Sequence, residues 1–319
     1  MKRIGVLTSG GDSPGMNACV RAVVRAGINA GFEVFGIRRG YEGLLDGDFM
    51  EMDLSSVADI IHRGGTMLGT ARSTRFMTDE GFARAMTMLE TYQIEGLVVI
   101  GGDGSLHGGQ KLSDAGIKVM GLPGTIDNDL AYTDFTIGFD TAVNTALATI
   151  SNIRDTSSAH GRTTVIEVMG RECGDIALYA GLAGGAETIL IPEKEIDINA
   201  ICRKLLEGKH RGKLHSVIIK AEGVPITAGD LARELEAKTG IETKKVVLGY
   251  IQRGGSPTAR DRLLASRTAY HAVQLLAMGS DSKCIGIRGD EIIAVSFEEA
   301  FNTEKTTHFE YLDICDILC

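Results

Sequence analysis

The chain has 319 residues, with 41 glycines, 5 prolines, no tryptophan and a formal net charge of −9. That length predicts about two domains with sizeable aliphatic cores, and the acidic balance argues against nucleic acid or an anionic membrane as the main partner. No apolar run approaches the roughly 18 residues of a membrane span. Cys19, Cys173, Cys202, Cys284, Cys315 and Cys319 lack C-x-x-C spacing and read as thiols in a reducing cytoplasm. The histidines likewise show no metal-ligand spacing, so no structural metal is expected.

Short β-rich apolar runs alternate with longer stretches of helical period. Residues 4–7 form the first predicted strand, followed by a helix over 16–30 that Gly31 stops. Strand 34–37, helix 83–92 and strands 97–100 and 119–122 come next. Helix 140–155, strands 165–168 and 189–191, helix 200–208, strand 217–219 and helix 228–239 continue the alternation. Strand 246–248, helix 261–278 and strand 285–287 complete it. The pattern predicts an α/β fold of mostly parallel sheets with helices on both faces. No polar linker or repeat marks a boundary, so the chain is expected to pass between domains more than once.

Five polar turns each follow a predicted strand: Gly10-Gly11-Asp12, Gly101-Gly102-Asp103, Pro123-Gly124-Thr125, Met169-Gly170-Arg171 and Glu222-Gly223. In open α/β sheets ligands bind outside the carboxyl ends of the strands. Glycine lets a phosphate come close to outward-pointing N–H groups, and a helix is expected after both the 101–105 and 123–129 segments. Carboxylates such as Asp103, Asp127 and Asp129 beside a phosphate repel it unless a metal or a substrate hydroxyl lies between, which is the arrangement phosphoryl transfer needs. Gly10 to Gly15 has the G-x-x-x-x-G spacing of a P-loop, but Met16-Asn17 replaces its Lys-[ST], leaving only a phosphate-binding turn. A dehydrogenase is disfavoured by the absence of G-x-G-x-x-G.

The segments TSGGDSPGMN (8–17), VVIGGDGS (98–105), GLPGTIDND (121–129), VMGRECGD (168–175), GGAETILIPE (184–193) and IQRGGSPTARDR (251–262) carry a resemblance. Through them nearly the whole chain resembles the bacterial ATP-dependent 6-phosphofructokinases. The resemblance implies two Rossmann-like three-layer α/β/α domains: a larger ATP-binding one (1–138 plus 252–304) and a smaller sugar-phosphate-binding one (139–251 plus 305–319). It also implies a cytoplasmic homotetramer with sugar-phosphate sites completed between subunits. The implied reaction is phosphorylation of D-fructose 6-phosphate at its 1-hydroxyl by ATP, the committed step of glycolysis.

The same resemblance assigns residues. Gly11, Arg72, Ser73, Gly102, Asp103, Gly104 and Ser105 would bind ATP, with Asp103 holding Mg²⁺. Asp127 would be the general base, Thr125 would bond the reacting phosphoryl group, and Asp129 and Arg171 would organise the site. Thr125, Ile126, Asp127, Met169, Gly170, Arg171 and Glu222 would meet the sugar, and Arg162, Lys244, Tyr250 and Arg253 its 6-phosphate. The family usually has Arg at the position of Lys244 and His at that of Tyr250; Lys lacks the planar fork and Tyr cannot become cationic. Arg75 reads as a solvated surface charge. Arg21 and Arg25, four apart on the first helix, with Arg154, Gly185, Glu187, Arg211, Lys213 and His215, match an effector site for ADP or phosphoenolpyruvate. There Glu187 would contact a nucleotide-bound Mg²⁺, and Leu214 stands where many members have Lys. Alternatives are another sugar-phosphate kinase, a non-catalytic sugar-phosphate sensor, or a pyrophosphate-dependent enzyme. Intact Asp103, Thr125, Asp127 and Arg171 argue against the sensor. Pyrophosphate users carry Asp at the position of Gly104 and Lys at that of Gly124, so the two glycines favour ATP.

Overall fold

The computed structural model describes residues 1–318, and the chain divides into two compact units, each built from two chain segments. Unit 1 comprises Met1–Thr141 and Arg253–Lys305. Its elements are β1 (Arg3–Ser9), α1 (Met16–Asn29), β2 (Glu33–Ile37), α2 (Gly40–Asp46), β3 (Phe49–Met52), α3 (Asp79–Thr91), β4 (Gly96–Gly101), α4 (Asp103–Asp114), β5 (Lys118–Thr125), β6 (Ile137–Gly138) and the first turn of α5 (Phe139–His160). The remaining elements of unit 2 are β7 (Thr163–Val168), α6 (Asp175–Ala183), β8 (Thr188–Leu190), α7 (Ile198–His210), β9 (Ser216–Ala221), α8 (Ala228–Thr239) and β10 (Thr243–Val247). The chain then returns to unit 1 with α9 (Ala259–Ala277), β11 (Lys283–Arg288), β12 (Glu291–Val295) and α10 (Phe297–Asn302), and α11 (Glu310–Leu318) belongs to unit 2.

The unit 1 sheet has the order β12-β11-β5-β4-β1-β2-β3, with β6 paired to β5. Both edges are antiparallel, β3 on β2 and β12 on β11, and the interior is parallel. Alternate residues of one strand go to opposite cores: Val98 and Ile100 join Val20, Val23 and Leu264 on the α1/α9 face. Leu97 and Val99 join Leu44, Leu89 and Leu106 on the other. All four strand residues are fully buried, each contributing roughly 1.5–3 kcal/mol, which is why the sequence reads as a continuous apolar run. The order reverses direction at β1 and β4, so the crevice outside their carboxyl ends is where such a sheet takes its ligand.

Unit 2 comprises Ala142–Gln252 and the segment from Thr306. Its four-stranded sheet, β10-β7-β9-β8, is parallel throughout. Lys220 on β9 is 1% exposed and survives burial because its Nζ lies 3.0 Å from Glu167 Oε2 and also donates to the Ala221 carbonyl.

All nine predicted strands fall on observed ones, and the six predicted helices on α1, α3, α5, α7, α8 and α9. One expectation is corrected. β5 runs through Pro123 and Gly124 to Thr125, because Gly101 pairs Pro123 and β6 pairs Gly124 and Thr125. The turn therefore starts at Ile126, and no helix follows until Phe139. The five described cysteines are buried thiols; Cys19 and Cys284 are pushed well above the ordinary range by burial. Cys319 lies outside the described residues.

Candidate active site

In unit 1 three of the expected turns stand side by side, at the ends of the neighbouring strands β1, β4 and β5. Packing holds them close. A Cβ at Gly101 would lie 2.6 Å from the Ser105 hydroxyl and from the Ser9 carbonyl, one at Gly10 3.2 Å from Ser105 Oγ, and one at Gly102 3.5 Å from Thr125 Cβ. Gly10 is held at φ 85°, a conformation favoured by glycine, and its carbonyl accepts from Thr70 Oγ1 at 2.7 Å.

The helices behind two of these turns start without a side-chain cap, as α2 and α6 also do. α3, α7, α8, α9 and α10 are each N-capped by their own Thr, Asp or Ser side chain. α1 and α4 begin at Gly15 and Gly102 without a side-chain cap. Their first N–H groups are the donors an anion would use. Asp103 and Gly104 are exposed at that start, and Asp103 Oδ1 lies 3.4 Å from His107 Nδ1.

Beyond Thr125 the chain turns sharply. The Asp127 N–H donates to Thr125 Oγ1 at 3.2 Å, and Asn128 takes φ 53°. The Asn128 side chain makes that conformation hold, accepting from Thr136 N and donating to the Asp134 carbonyl. Thr125, Ile126 and Asp127 are buried, Asp127 at 1% exposure, while Asp129 is half-buried. A carboxyl group is thus fixed at the strand end beside the uncapped α4 turn.

The loop carrying Arg72 and Ser73 is anchored from below. Ser73 Oγ accepts from Phe76 N, and the Phe76 ring stacks on Tyr41 at 4.2 Å. Tyr41 donates its hydroxyl to the Ser105 carbonyl at 2.6 Å, and burial pushes its phenol far above the usual range. Arg75 is not merely solvated: its Nη1 lies 2.8 Å from Glu42 and 3.0 Å from Asp46, and the Arg75 hydrogen bond holds the Asp46 carboxyl below its ordinary value. These pairs fasten the loop to α2. Sequence reasoning missed Tyr41 because its partner is 64 residues away. Arg253 also belongs here; Nη1 donates to the Asp12 carbonyl at 3.2 Å, and a Cβ at Gly11 would strike its guanidinium.

In unit 2 the turns after β7 and β9 meet. Glu222 Oε1 accepts from Gly170 N at 3.2 Å and Arg171 N at 2.8 Å, which explains why Gly170 (φ 132°) and Arg171 (φ 52°) can hold such a tight turn. The Met169 N–H donates to Gln252 Oε1. Arg162 lies at the opposite, amino end of this sheet, lining a cavity of about 370 Å³ together with His215; Arg162 Nε and His215 Nε2 have no hydrogen-bond partner there. Lys244 is exposed and paired with Glu242 at 2.9 Å, which holds the Glu242 carboxyl low, and Tyr250 is 83% exposed.

Of the effector candidates in unit 2, Arg154 donates to the Gly184 and Gly185 carbonyls, and Glu187, Arg211 and Lys213 line one recess. Both oxygens of the buried Glu187 are engaged, Oε1 by Lys213 Nζ at 2.8 Å and Oε2 by Val217 N. Arg21 and Arg25 stand on α1 in unit 1, half-buried and exposed respectively. Among the described residues no cluster of three His, Cys, Asp or Glu could hold a metal, and no helix is long and apolar enough to cross a membrane.

A phosphofructokinase family profile matches residues 3–276. The ATP-dependent 6-phosphofructokinase of Alkaliphilus metalliredigens (strain QYMF) is 59% identical over 318 residues, covering 100% of this chain and 99% of that protein. The ATP-dependent 6-phosphofructokinase of Clostridium botulinum (strain Loch Maree / Type A3) is 57% identical with the same coverage. The phosphofructokinase structure from Saccharomyces cerevisiae superposes with a TM-score of 0.91 at 35% identity, over 99% of this chain and 50% of the yeast chain. With full-length similarity of this degree, and glycine turns and acids arranged as described, the chain belongs to the phosphofructokinase family.

Proposed function

We propose that the chain transfers the γ-phosphoryl group of ATP to the 1-hydroxyl of fructose 6-phosphate, giving fructose 1,6-bisphosphate and ADP. The observation that carries this reading is the buried Asp127 carboxyl at the end of β5, beside the uncapped start of α4. N–H groups of Gly11 and of Gly102 to Gly104 hold the nucleotide phosphates, with Arg72 adding charge and Ser73 and Ser105 hydroxyls. The sugar O1 attacks the γ-phosphorus, its proton passes to Asp127, and the bond to the β-phosphate oxygen breaks to release ADP. Asp is a weak base for an alcohol, so transfer comes late, once the O–P bond is partly formed. Thr125 donates to the moving phosphoryl group, and Asp129 and Arg171 orient the reactants. The exposed Asp103 fits Mg²⁺, which favours one or two carboxylates together with substrate phosphates; when bound it offsets charge on the phosphate oxygens. The test is phosphorus NMR of the reaction mixture, where fructose 1,6-bisphosphate is expected and inorganic phosphate alone would contradict transfer to the sugar.

Sugar binding falls to Ile126, Met169, Gly170 and Glu222, whose Oε2 is left for a sugar hydroxyl once Oε1 has taken two backbone N–H groups. Arg162, Lys244, Tyr250 and Arg253 take the 6-phosphate, in a cytoplasmic homotetramer whose subunits complete one another's sites. Lys244 must leave Glu242 to do so, and Tyr250 offers only a neutral hydroxyl. Lys244→Arg with Tyr250→His is therefore expected to lower KM for fructose 6-phosphate by about three- to tenfold, with a smaller change in kcat. An unchanged KM in steady-state assays would remove this account of the two positions.

Arg21, Arg25, Arg154, Gly185, Arg211, Lys213 and His215 supply an effector site for ADP or phosphoenolpyruvate, which shifts the tetramer between states of different sugar affinity. The occupied Glu187 oxygens modify the expectation: Glu187 orders Lys213 for the anion, and reaches a metal only by releasing it. Fructose 6-phosphate saturation curves should move with either effector in wild type and move less in Arg25→Ala. Curves unmoved in wild type would show that these residues form no working switch.

A further inference from the structure

We infer that Asp261 is a positioning residue for phosphoryl transfer, its buried carboxylate holding the β6–α5 junction against the strand end that bears Thr125 and Asp127. The inference rests on the kinase reading above. Asp261 is the third residue of α9 and 1% exposed. Its own helix is already capped by Thr258, whose Oγ1 accepts from Asp261 N. The carboxylate instead reaches across to a segment more than a hundred residues away. Oδ1 accepts from Gly138 N at 2.9 Å, and Oδ2 from Thr141 N at 2.8 Å and Thr141 Oγ1 at 2.5 Å.

What it holds is the support of the catalytic turn. Gly138 is the register partner of Thr125, Ile137 that of Gly124, and Thr136 Oγ1 donates to the Thr125 carbonyl at 2.7 Å. On its other side, a Cβ at Gly15 (φ 108°) would lie 2.7 Å from Ile137 Cγ2 and 3.6 Å from Asp261 Cβ. A shift of this carboxylate is therefore passed both to Thr125 and to the turn that begins at Gly10. Close packing leaves no slack to absorb it, and misplacement by a fraction of an ångström is costly where reacting atoms must align.

The ionisation of Asp261 points the same way. Burial raises its carboxyl to about 6, with the Thr141 and Gly138 hydrogen bonds opposing the rise and Asp140 adding to it. Asp140 itself is bonded by Thr258 Oγ1 and lies 3.9 Å from Arg260 Nη1. A folded value above the ordinary carboxylate range means that the stabilising contribution is present below that range and is lost as pH rises through about 6. At neutral pH the group is ionised, and the carboxylate accepts the three hydrogen bonds from Gly138 and Thr141.

The test is Asp261→Asn, which keeps the side-chain volume but sets an amide NH₂ against one of the two backbone N–H groups. With ATP, Mg²⁺ and fructose 6-phosphate, well below the melting temperature, kcat is expected to fall about tenfold while both KM values stay within about twofold. Thr268→Val, which removes a buried hydroxyl donating to the Leu264 carbonyl on the same helix, serves as the stability control: it should lower Tm and leave kcat unchanged. Wild-type kcat in Asp261→Asn, or an equal kcat loss in Thr268→Val at an equal drop in Tm, would overturn the inference. If the Asn variant does not fold, Thr141→Val decides: it removes the hydroxyl that donates to Oδ2 and accepts from Thr258 N, and leaves the carboxylate with its bonds from Gly138 N and Thr141 N. A kcat lowered about threefold supports the role and an unchanged kcat overturns it. An inactive wild type would overturn the kinase reading and this inference with it, whereas an active wild type with unaltered variants overturns the inference alone.

Discussion

Replacing Asp127 by asparagine is expected to lower kcat by about 10²–10⁴-fold, the usual loss when a general base is removed. Asparagine has nearly the same shape, and the Asp127 contact that shapes the turn is made by its backbone N–H to Thr125 Oγ1, which the substitution keeps. The nucleotide groups lie on other turns, at Gly11 and at Gly102 to Ser105. ATP affinity, measured by calorimetry, should therefore change little. The combination of intact binding and lost turnover separates a base from a merely structural acid. Near-normal turnover of the purified variant would contradict the assignment.

Gly104→Asp is expected to abolish most use of ATP while leaving the protein folded. A Cβ at Gly104 meets nothing within 4 Å, so the side chain has room. It would place a carboxylate in the exposed first turn of α4, where the nucleotide phosphates must lie. Like charges brought together there cost several kcal/mol, which corresponds to a loss of about 10²-fold or more in kcat/KM for ATP. Gly124 differs. A Cβ there would lie 2.9 Å from Ile100 Cγ2 and 3.2 Å from both Gly101 N and Met16 Cε, so lysine could enter only with rearrangement of buried neighbours. Wild-type protein should use ATP and not pyrophosphate as donor. Comparable rates with the two donors, or unchanged ATP kinetics in Gly104→Asp, would refute the steric and charge argument.

The strands were legible because most are buried on both faces: a run such as Leu97 to Ile100 can be little else in an α/β chain. Elements without such a run were not. β6 has two residues, and β12 follows a tight antiparallel turn at Gly289. α4 could be placed at its start, by the glycine turn, but its body carries Gly108 and Gly109 against helical expectation. The fold explains them, since a Cβ at Gly108 would lie 2.7 Å from the Tyr41 ring. The same division runs through the site. Gly102, Asp103, Thr125 and Asp127 form local motifs and could be named from their neighbours. Tyr41, the pairing of Arg75 with Glu42 and Asp46, and the reach of Asp261 to Gly138 join residues 29 to 123 positions apart. Only the folded chain brings these together. Asp261 stood in the sequence only as the start of the helix over 261–278 and as a member of the 251–262 segment, and neither says anything of Thr125.

Steady-state release of ADP from ATP and Mg²⁺, measured with and without fructose 6-phosphate, decides whether the sugar hydroxyl is the acceptor. ADP is expected to form rapidly only when the sugar phosphate is present, one ADP for each fructose 1,6-bisphosphate. ADP release at the same rate without the sugar phosphate, or none with it, would contradict a phosphoryl transfer to that hydroxyl.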